Sequence, residues 1–302
     1  MNNSDKIAAA FDGKKAFIAF ITGGDPDIET TEKLIIEMAD CGVDIIEIGI
    51  PFSDPVAEGI VIQQADERAL AGGCTLDKLF EMVGRVRLKI SIPLLFMTYI
   101  NPIFVYGKEK FLQNCAACGI DGVIVPDLPF EERGELADDC IKYNVAQISM
   151  VAPTSLEIPR AIEMNSMAAV AADGGGHRLC RCHSNPESIN ALRDCYSERF
   201  TKIAEGAKGF IYCVSSLGVT GVRSEISTDI AGIIRQIKQV TDTPCAIGFG
   251  ISTPEQARDM ARISDGVIIG SAIVRIVAEH GRECVSAVGE YVRAVKESVL
   301  DI

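Results

Sequence analysis

The chain has 302 residues, a net charge of -13 and a hydrophobic fraction of 48%, which together suit one large α/β domain. The excess of 42 acidic over 29 basic residues argues against a nucleic-acid-binding protein, because such proteins need basic surface to displace counterions from phosphates. No apolar run approaches the roughly 20 residues that cross a membrane, and no secretory signal opens the chain. We therefore expect a soluble cytoplasmic protein whose 11 cysteines are reduced thiols.

Short apolar strands alternate with amphipathic helices along the chain. Runs of Ile and Val such as Val43–Ile50 are typical of strands buried on both faces, and strict alternation with helices predicts parallel pairing. Eight such units predict a (β/α)8 TIM barrel, with a doubly wound open sheet as the structural alternative. The predicted strands are Ala16–Ile21, Val43–Ile50, Pro93–Met97, Gly122–Val125, Ala146–Val151, Gly209–Val214, Cys245–Ile247 and Gly266–Ile269. The predicted helices are Thr30–Cys41, Gly59–Leu70, Leu76–Leu88, Lys108–Cys115, Phe130–Lys142, Asp229–Val240, Pro254–Ala261 and Val277–Ser298.

One segment between the fifth and sixth predicted strands interrupts this alternation. Nearly sixty residues separate Val151 from Gly209, which is roughly three times a normal crossover. We therefore expect a single barrel domain over residues 1–302 that carries an insertion near Leu156–Tyr196.

A group of cysteine and histidine residues inside the predicted insertion raises the question of a metal site. Cys180, Cys182 and His183, with His177 and Cys195 nearby, are residue types that ligate zinc. Their spacing matches no standard zinc finger, so the sequence favours an insertion without metal.

Glu47 is the first candidate for chemistry, because it is a carboxylate inside an apolar strand. Such a group is costly to bury unless it is paired or used. Alternate strand residues share a face, so Glu47 lies on the side of Ile45 and Gly49, where the small Gly49 would leave room beside the carboxylate. Burial would raise its pKa and suit it to proton transfer. The alternative is a structural Glu that bonds to a neighbouring strand.

The segments that follow the second, third and fourth predicted strands carry further polar residues. Asp54 and Glu58 follow the second strand, Tyr99 and Asn101 the third, and Asp127 the fourth. Active sites of barrel enzymes lie on this face. Ordinary alternatives are solvated loop charges, turns before proline, and a cap by Asp127 on the helix near Phe130.

Glycines cluster after the last three predicted strands. They lie in Gly218–Gly221, Gly248–Ser252 and Gly270–Ala272, and barrels bind phosphate after strands seven and eight at the N-terminus of a helix. The three sites together predict a phosphate site, although each glycine alone also suits a turn. The long polar stretch Ser215–Ser227 could act as a closing lid.

Taken together, the segments resemble the tryptophan synthase alpha subunit family over nearly the whole chain except the insertion. They occur in the family's order and after the expected strands. The resembling segments are Phe17–Pro26, Glu47–Gly59, Val125–Pro129, Gly218–Gly221, Gly248–Ser252 and Gly270–Val274.

The resemblance implies a lyase of tryptophan biosynthesis that cleaves indole-3-glycerol phosphate to indole and glyceraldehyde 3-phosphate, without metal or organic cofactor. It also implies docking on a beta subunit in an α2β2 heterotetramer, with Asp54 in the contacting loop. Glu47 matches the family's catalytic Glu, and Glu58 stands at the second acidic position. The predicted substrate-binding residues are Phe20, Tyr99, Asp127, Tyr212 and Thr220, and the predicted phosphate-binding residues are Gly221, Gly250, Gly270 and Ser271.

The catalytic loop departs from the family pattern, which has Asp followed by Gly-Pro where this chain has Glu58-Gly59-Ile60. The extra methylene of Glu58 could displace its carboxylate by more than about an ångström, a shift that can cost roughly 10²-fold in rate, and Ile60 makes the loop less rigid than proline would. On this basis the sequence predicts faster turnover for Glu58→Asp.

Two other functions remain open at the level of sequence. One is a catalytically weakened barrel that acts mainly as an allosteric partner of a beta subunit. The other is a phosphate-binding barrel with a different substrate, although the absence of a Lys at an evident strand end disfavours a Schiff-base aldolase.

Overall fold

The computed structural model describes residues 2–152, 201–214, 230–248, 250–300 and 302. The predicted insertion Leu156–Tyr196, with its cysteine and histidine residues, lies outside the described residues. The same holds for the predicted lid Ser215–Ser227, and therefore for Thr220 and Gly221.

A single parallel sheet forms the centre of the molecule. Its strands follow the order β5-β4-β3-β2-β1-β9-β8-β7-β6, and every neighbouring pair is parallel. The strands are β1 (Ala16–Thr22), β2 (Ile45–Gly49), β3 (Leu94–Met97), β4 (Gly122–Ile124), β5 (Ala146–Gln147), β6 (Ser149–Val151), β7 (Ile211–Val214), β8 (Cys245–Gly248) and β9 (Gly266–Ile269).

The two ends of this sheet order are halves of one strand, so the sheet closes into a barrel. Only Ile148 separates β5 from β6, and its N–H bonds to the carbonyl of Val123 at 3.0 Å. β5 pairs with β4, whereas β6 pairs with β7. The predicted strand Ala146–Val151 is therefore the point of closure, and the predicted eight-unit TIM barrel is confirmed.

Helices surround the barrel in the described ranges, and none of them is both long and apolar enough to cross a membrane. The predicted long helix Val277–Ser298 is wrong, because Gly281 adopts a positive φ of 55° that L-residues avoid and breaks it in two. The helices are α1 (Asn3–Ala9), α2 (Ile28–Asp40), α3 (Ile60–Ala71), α4 (Leu76–Arg87), α5 (Ile100–Tyr106), α6 (Lys108–Cys118), α7 (Gly134–Tyr143), α8 (Ile230–Val240), α9 (Pro254–Ile263), α10 (Ser271–His280) and α11 (Cys284–Leu300).

Strand parity divides the core into two layers. Ile45 packs with Ile18, Leu95 and other residues of the barrel interior, whereas Ile46 and Ile48 pack with residues of the surrounding helices. Because side chains alternate between faces along a strand, Glu47 shares a face with Ile45, as the sequence predicted, and the structure shows that this face points into the barrel.

The N-terminal helix α1 closes the end of the barrel where the strands begin. Ile7 and Phe11 pack into the interior cluster. Lys6 forms a salt bridge with Asp121 at 2.8 Å, and Asp121 forms a second salt bridge with Arg87. The opposite end, where the strands finish, opens into a cavity lined by residues such as Phe20 and Gly270.

Candidate active site

A cavity of about 340 Å³ opens at the carboxyl ends of the strands. Apolar side chains dominate its wall, as in most small-molecule sites. Six of the residues predicted from the sequence line it, namely Phe20, Glu58, Tyr212, Gly250, Gly270 and Ser271. Met97, Leu128, Phe130 and Met150 also line the cavity, and sequence reasoning missed them because an apolar wall needs no distinctive residue type.

Glu47 lies on β2, where it is fully buried and in register with Phe20 on β1 and Leu95 on β3. Neither carboxyl oxygen has a hydrogen-bond partner among the described residues. Loss of solvent raises the pKa of Glu47 to about 8, because burial disfavours the charged form. Near neutral pH this group is mainly a protonated acid that can also accept a proton back.

The neighbours of Glu47 connect it to the cavity. Phe20 and Tyr212 both line the cavity, and the pKa of the Tyr212 hydroxyl is raised well above its usual value by burial and by the nearby Glu47 charge. Glu47 itself does not line the cavity, but it borders two residues that do.

The ring of Phe20 lies between two glycines. A Cβ atom added to Gly49 would stand 2.6 Å from Cζ of Phe20, and one added to Gly270 would stand 3.0 Å from Cδ1. The expectation that Gly49 leaves open room beside Glu47 is therefore wrong, because the Phe20 ring fills that space. The two glycines instead let a flat apolar ring lie against the cavity wall.

Glu58 is held by Tyr99 at the edge of the cavity. The Tyr99 hydroxyl donates a hydrogen bond to Oε2 of Glu58 and accepts the N–H groups of Val56 at 3.1 Å and Ala57 at 2.8 Å. Its ring packs on Phe52 with centroids 5.4 Å apart. Tyr99 therefore fixes the loop of residues 51–59, which we call the acidic loop, and aims its carboxylate.

Burial is also the main influence on the acidity of Glu58. Desolvation raises its pKa to about 7, and the negative charge of Asp127 acts in the same direction. Main-chain hydrogen bonds at Glu58 and Ala57 act in the opposite direction. Near neutral pH Glu58 is therefore divided between a charged and an uncharged form, and a positive charge in the cavity would draw it towards the charged form.

Asp127 and Asp54 are both exposed and lie at the rim. Asp127 accepts the N–H of Ile100 at 2.9 Å, at the start of α5. The alternative in which it caps the helix near Phe130 is wrong: the turn Phe130–Glu132 begins after Pro129 without a side-chain cap. Because β3 and β4 are neighbours, the Asp127 carboxylate reaches across to the helix that follows β3. Asp54 accepts the Ser53 hydroxyl at 2.5 Å.

The predicted phosphate residues that the structure describes lie together on one wall of the cavity. Gly250, Gly270 and Ser271 all line it, and Ser271 begins α10. Val274 makes the first helical bond back to the carbonyl of Gly270 at 3.0 Å. The first N–H groups of a helix have no partner within it and favour anions, so this wall suits a phosphate.

Asp66 is a buried acid near Glu58 that sequence reasoning missed. It lies on α3, and its carboxyl is close enough to Glu58 for the Glu58 charge to raise its pKa. A signal was present in the spacing of Ile62, Ala65, Asp66 and Ala69, which form the buried face of α3. These residues recur with the helical period, so Asp66 falls on the apolar face of the helix. An acid on such a face is as unusual as an acid inside an apolar strand.

Cysteines and acids of the described ranges form no metal centre. Within those ranges no three His, Cys, Asp or Glu side chains are grouped so as to hold a metal ion. Cys115 is buried and Cys118 is half-buried on α6, and both are free thiols. Cys115 belongs to the hydrophobic core, and Cys118 packs against it.

Comparison with known proteins places these features in a family. The family model described as tryptophan synthase alpha chain matches residues 8–168 and 191–299. The tryptophan synthase alpha chain of Caldanaerobacter subterraneus subsp. tengcongensis is 41% identical over 291 residues, covering 96% of this chain and 94% of that protein.

Two solved structures show the same architecture. The tryptophan synthase alpha chain of Legionella pneumophila superimposes with a TM-score of 0.78 at 30% identity, covering 100% of this chain and 98% of that one. A chain of the tryptophan synthase complex of Pyrococcus furiosus gives a TM-score of 0.72 at 28% identity, covering 94% of this chain and 98% of that one.

Proposed function

The chain belongs to the tryptophan synthase alpha chain family, and on that premise we propose that it cleaves indole-3-glycerol phosphate to indole and glyceraldehyde 3-phosphate. The observation that carries this proposal is the fully buried Glu47 carboxyl, with a pKa of about 8, beside a cavity that ends at the N-terminus of α10. A proton-transfer group and an anion-binding wall are the two parts that a phosphorylated retro-aldol substrate requires.

Glu47 supplies the proton transfers in this proposal. Its acid form protonates the ring carbon that bears the side chain, and its carboxylate then takes the proton of the adjacent hydroxyl as the carbon–carbon bond breaks. The ring leaves as indole and the hydroxyl carbon becomes the aldehyde. One group performs both transfers because its pKa lies near the working pH, and no net proton is consumed.

Glu58 stabilises the charge that develops on the ring. Protonation of the ring carbon leaves a positive charge shared with the ring nitrogen, and a carboxylate that accepts the ring N–H lowers the energy of that state. Glu58 lines the cavity, and Tyr99 holds its position. Phe20 and Tyr212 provide the flat apolar surface for the indole. Asp127 lies at the rim, and its negative charge helps to raise the pKa of Glu58.

Gly250, Gly270 and Ser271 bind the phosphate in this proposal, together with Gly221. Gly221 lies outside the described residues, as does Thr220, which is proposed to contact the substrate. The main-chain N–H groups at the start of α10 bind the anion without a Lys or Arg. Side chains supply both proton transfers that accompany cleavage of the carbon–carbon bond, so the proposed reaction needs no metal and no organic cofactor, and a chelator would leave indole release unchanged.

We also propose that the chain docks on a beta subunit through the rim around Asp54. Val56, Ile60, Phe104 and Val105 are large apolar side chains exposed at this end of the barrel, with Val105 81% exposed. Of these four, Val105 lines a groove of about 420 Å³, together with residues of the acidic loop, α4 and α5. Exposed apolar patches of this kind mark protein interfaces.

The rim proposal has a matched control within the chain. Leu88 is 88% exposed but follows α4 and precedes β3, so it lies at the opposite end of the barrel. Val105→Glu should weaken the affinity for a beta subunit, whereas Leu88→Glu should not. Equal affinities for the two variants, measured by titration calorimetry, would contradict this interface.

The residues near 156–196 are proposed to be an insertion in an otherwise single barrel domain. The family match leaves out residues 169–190, which lie within the predicted segment. Deletion of 169–190 should therefore leave the barrel folded and indole release measurable. An unfolded product would contradict the proposal.

A cytoplasmic location is proposed as well. The eight cysteines in the described ranges are free, as expected in a reducing compartment. Cell fractionation with a tagged chain tests this location.

Steady-state indole release by the purified chain, with and without a beta subunit, tests the proposed activity. Release that depends on Glu47 supports it. Stimulation of a beta subunit without any indole release would favour the catalytically weakened partner. Failure to bind an indole-propanol phosphate analogue would favour a barrel with another substrate.

A further inference from the structure

The segment that follows β8 forms one part of the wall proposed to bind phosphate. Gly250 and Ile251 line the cavity, and Gly250 adopts a positive φ of 82°, a conformation that glycine accepts at little cost. Thr253 caps α9 directly after this segment. We call residues 250–253 the phosphate loop, and two side chains outside the cavity hold its shape.

The side chain of Gln256, in the first turn of α9, holds Ser252 from one side. Its Oε1 atom accepts the main-chain N–H of Ser252 at 2.8 Å and the Ser252 hydroxyl at 3.1 Å. The Thr253 hydroxyl in turn accepts the N–H of Gln256 at 3.3 Å. This arrangement is a capping box in which the Gln side chain reaches one residue further back than usual. The N–H of Ser252 is therefore directed towards α9 and not towards a bound anion.

Tyr291, on α11, holds the other side of the same residue. Its hydroxyl donates a hydrogen bond to the carbonyl oxygen of Ser252 at 2.9 Å. The Tyr291 ring packs against the hydrophobic core, and burial raises the pKa of the hydroxyl, so the group remains a donor near neutral pH. Because α11 also packs against α10, which begins at Ser271, one helix supports both parts of the proposed phosphate wall.

These contacts fix both peptide groups that flank Ser252. Its N–H belongs to the peptide group shared with Ile251, and its carbonyl belongs to the peptide group shared with Thr253. Neither Gln256 nor Tyr291 lines the cavity, so their influence on a ligand is transmitted through the main chain. Main-chain N–H groups bind an anion best when they are already oriented, because reorienting them on binding lowers the net affinity.

We propose that Tyr291 and Gln256 are positioning residues for phosphate binding: they hold Ser252 from two helices so that the main-chain N–H groups of the phosphate loop face the cavity. This inference deepens the function proposed above and rests on it for the identity of the phosphorylated substrate. The positioning is measured separately with inorganic phosphate, whose binding does not depend on the indole chemistry.

Tyr291→Phe tests the proposal, because it removes one oxygen atom and leaves the ring in the core. In a ³¹P NMR titration the dissociation constant for inorganic phosphate should rise about threefold to tenfold, the scale of one hydrogen bond. The indole-propanol phosphate analogue should weaken by the same factor, whereas indole-propanol, which lacks the phosphate, should bind as it does to wild type. A residue that acts only on stability would change both indole ligands or neither.

The kinetic constants separate phosphate binding from the chemical step. In Tyr291→Phe the KM for indole-3-glycerol phosphate should rise by about the same factor, while kcat stays within about twofold, because the phosphate is held equally in the ground state and the transition state. Gln256→Met removes the contact from α9 and should act in the same direction. If Tyr291→Phe does not fold, Gln256→Met decides by the same measurements.

Tyr143→Phe is the matched control, because the Tyr143 hydroxyl bonds to Glu109 at 3.1 Å and lies outside the phosphate loop. Its phosphate affinity and KM should equal those of wild type. An unchanged phosphate affinity in either folded variant of Tyr291 or Gln256, or an equal loss in Tyr143→Phe, overturns the proposal. Absence of phosphate binding by the wild-type chain overturns it as well.

The two proposals fail in different ways. If phosphate binding weakens as expected in Tyr291→Phe but the wild-type chain releases no indole, the proposed function fails and the positioning stands. If the wild-type chain releases indole and the variants keep its phosphate affinity and KM, the positioning fails and the proposed function stands.

Discussion

The two candidate catalytic acids are held by different kinds of structure. Glu47 lies on β2, between two neighbouring strands that pair with it in register, and its carboxyl has no hydrogen-bond partner among the described residues. Glu58 lies on the acidic loop and depends on the Tyr99 hydroxyl and on main-chain N–H groups. In both cases burial raises the pKa towards neutrality.

This contrast separates two ways of preparing a carboxyl for chemistry. The strand fixes the position of Glu47 and leaves its proton free to move, because no partner competes for it. The loop leaves the position of Glu58 dependent on a few contacts that can be removed one at a time. Substitution of Glu47 should therefore abolish indole release, whereas changes to Glu58 or its contacts should lower indole release in smaller steps.

Glu47→Gln gives the largest expected effect. Glutamine keeps the size of the side chain but cannot exchange a proton, so indole release should fall by at least about 10²- to 10⁴-fold, the usual contribution of a general acid–base group. Binding of an indole-propanol phosphate analogue should persist. Steady-state assay and calorimetry measure the two quantities, with Glu67→Gln as the charge control; normal turnover would reject Glu47 as the acid–base group.

Tyr99→Phe should have the next largest effect. It removes the hydroxyl that joins Glu58 to the N–H groups of Val56 and Ala57, so kcat should fall by roughly 10- to 10²-fold, as for a catalytic group misplaced by about 1 Å. Tyr106→Phe is the matched control, since the Tyr106 hydroxyl bonds to Asp77 and Asn114 instead. Equal losses in the two variants would indicate a general loss of stability.

Glu58→Asp tests whether the acidic loop is adapted to the longer acid. The sequence predicted faster turnover, but the contact with Tyr99 leads us to expect the opposite. A side chain one methylene shorter would lose this hydrogen bond, and a bond to a charged group is worth about 1.5–3 kcal/mol, roughly tenfold or more in rate. Faster turnover than wild type would show that Tyr99 holds Glu58 away from its productive position.

The last prediction concerns stability instead of rate: the free energy of unfolding should depend on pH. The pKa of Glu47 is raised from 4.5 to about 8 in the folded chain, so the folded state binds more protons than the unfolded state between these values. Stability should therefore fall as the pH rises through this window, by up to roughly 1.4 kcal/mol for each unit of pKa difference. Glu58 and Asp66 have raised pKa values as well, so only part of the decline is due to Glu47.

Glu47→Gln isolates that part. Denaturant midpoints of wild type and variant, measured at about pH 5 and pH 8.5, should show the variant gaining stability relative to wild type at the higher pH, because glutamine has no proton to lose. A difference between the two proteins that is independent of pH would mean that Glu47 keeps an ordinary pKa.

Much of the site was predictable because its residues break local patterns. An acid in an apolar strand identified Glu47, and glycines after successive strands identified Gly250 and Gly270. Asp66 also breaks a pattern, but over the longer period of a helix, where an acid two turns after a loop resembles an ordinary solvated residue. The spacing of apolar residues on α3 carries only a weak signal, and the packing of the helix shows that Asp66 is buried.

The sequence by itself determined the barrel, the residues that share a strand face with Glu47, and the strand ends at which the glycines lie. These follow from periodicity along the chain, and a period of two residues fixes which side chains share a face of a strand. The tertiary structure decided what fills the space over Gly49, which acid Tyr99 holds, and that Asp127 binds the start of α5 instead of its own helix. These contacts join residues from different strands and loops, so their distances depend on how the sheet closes and not on any local pattern.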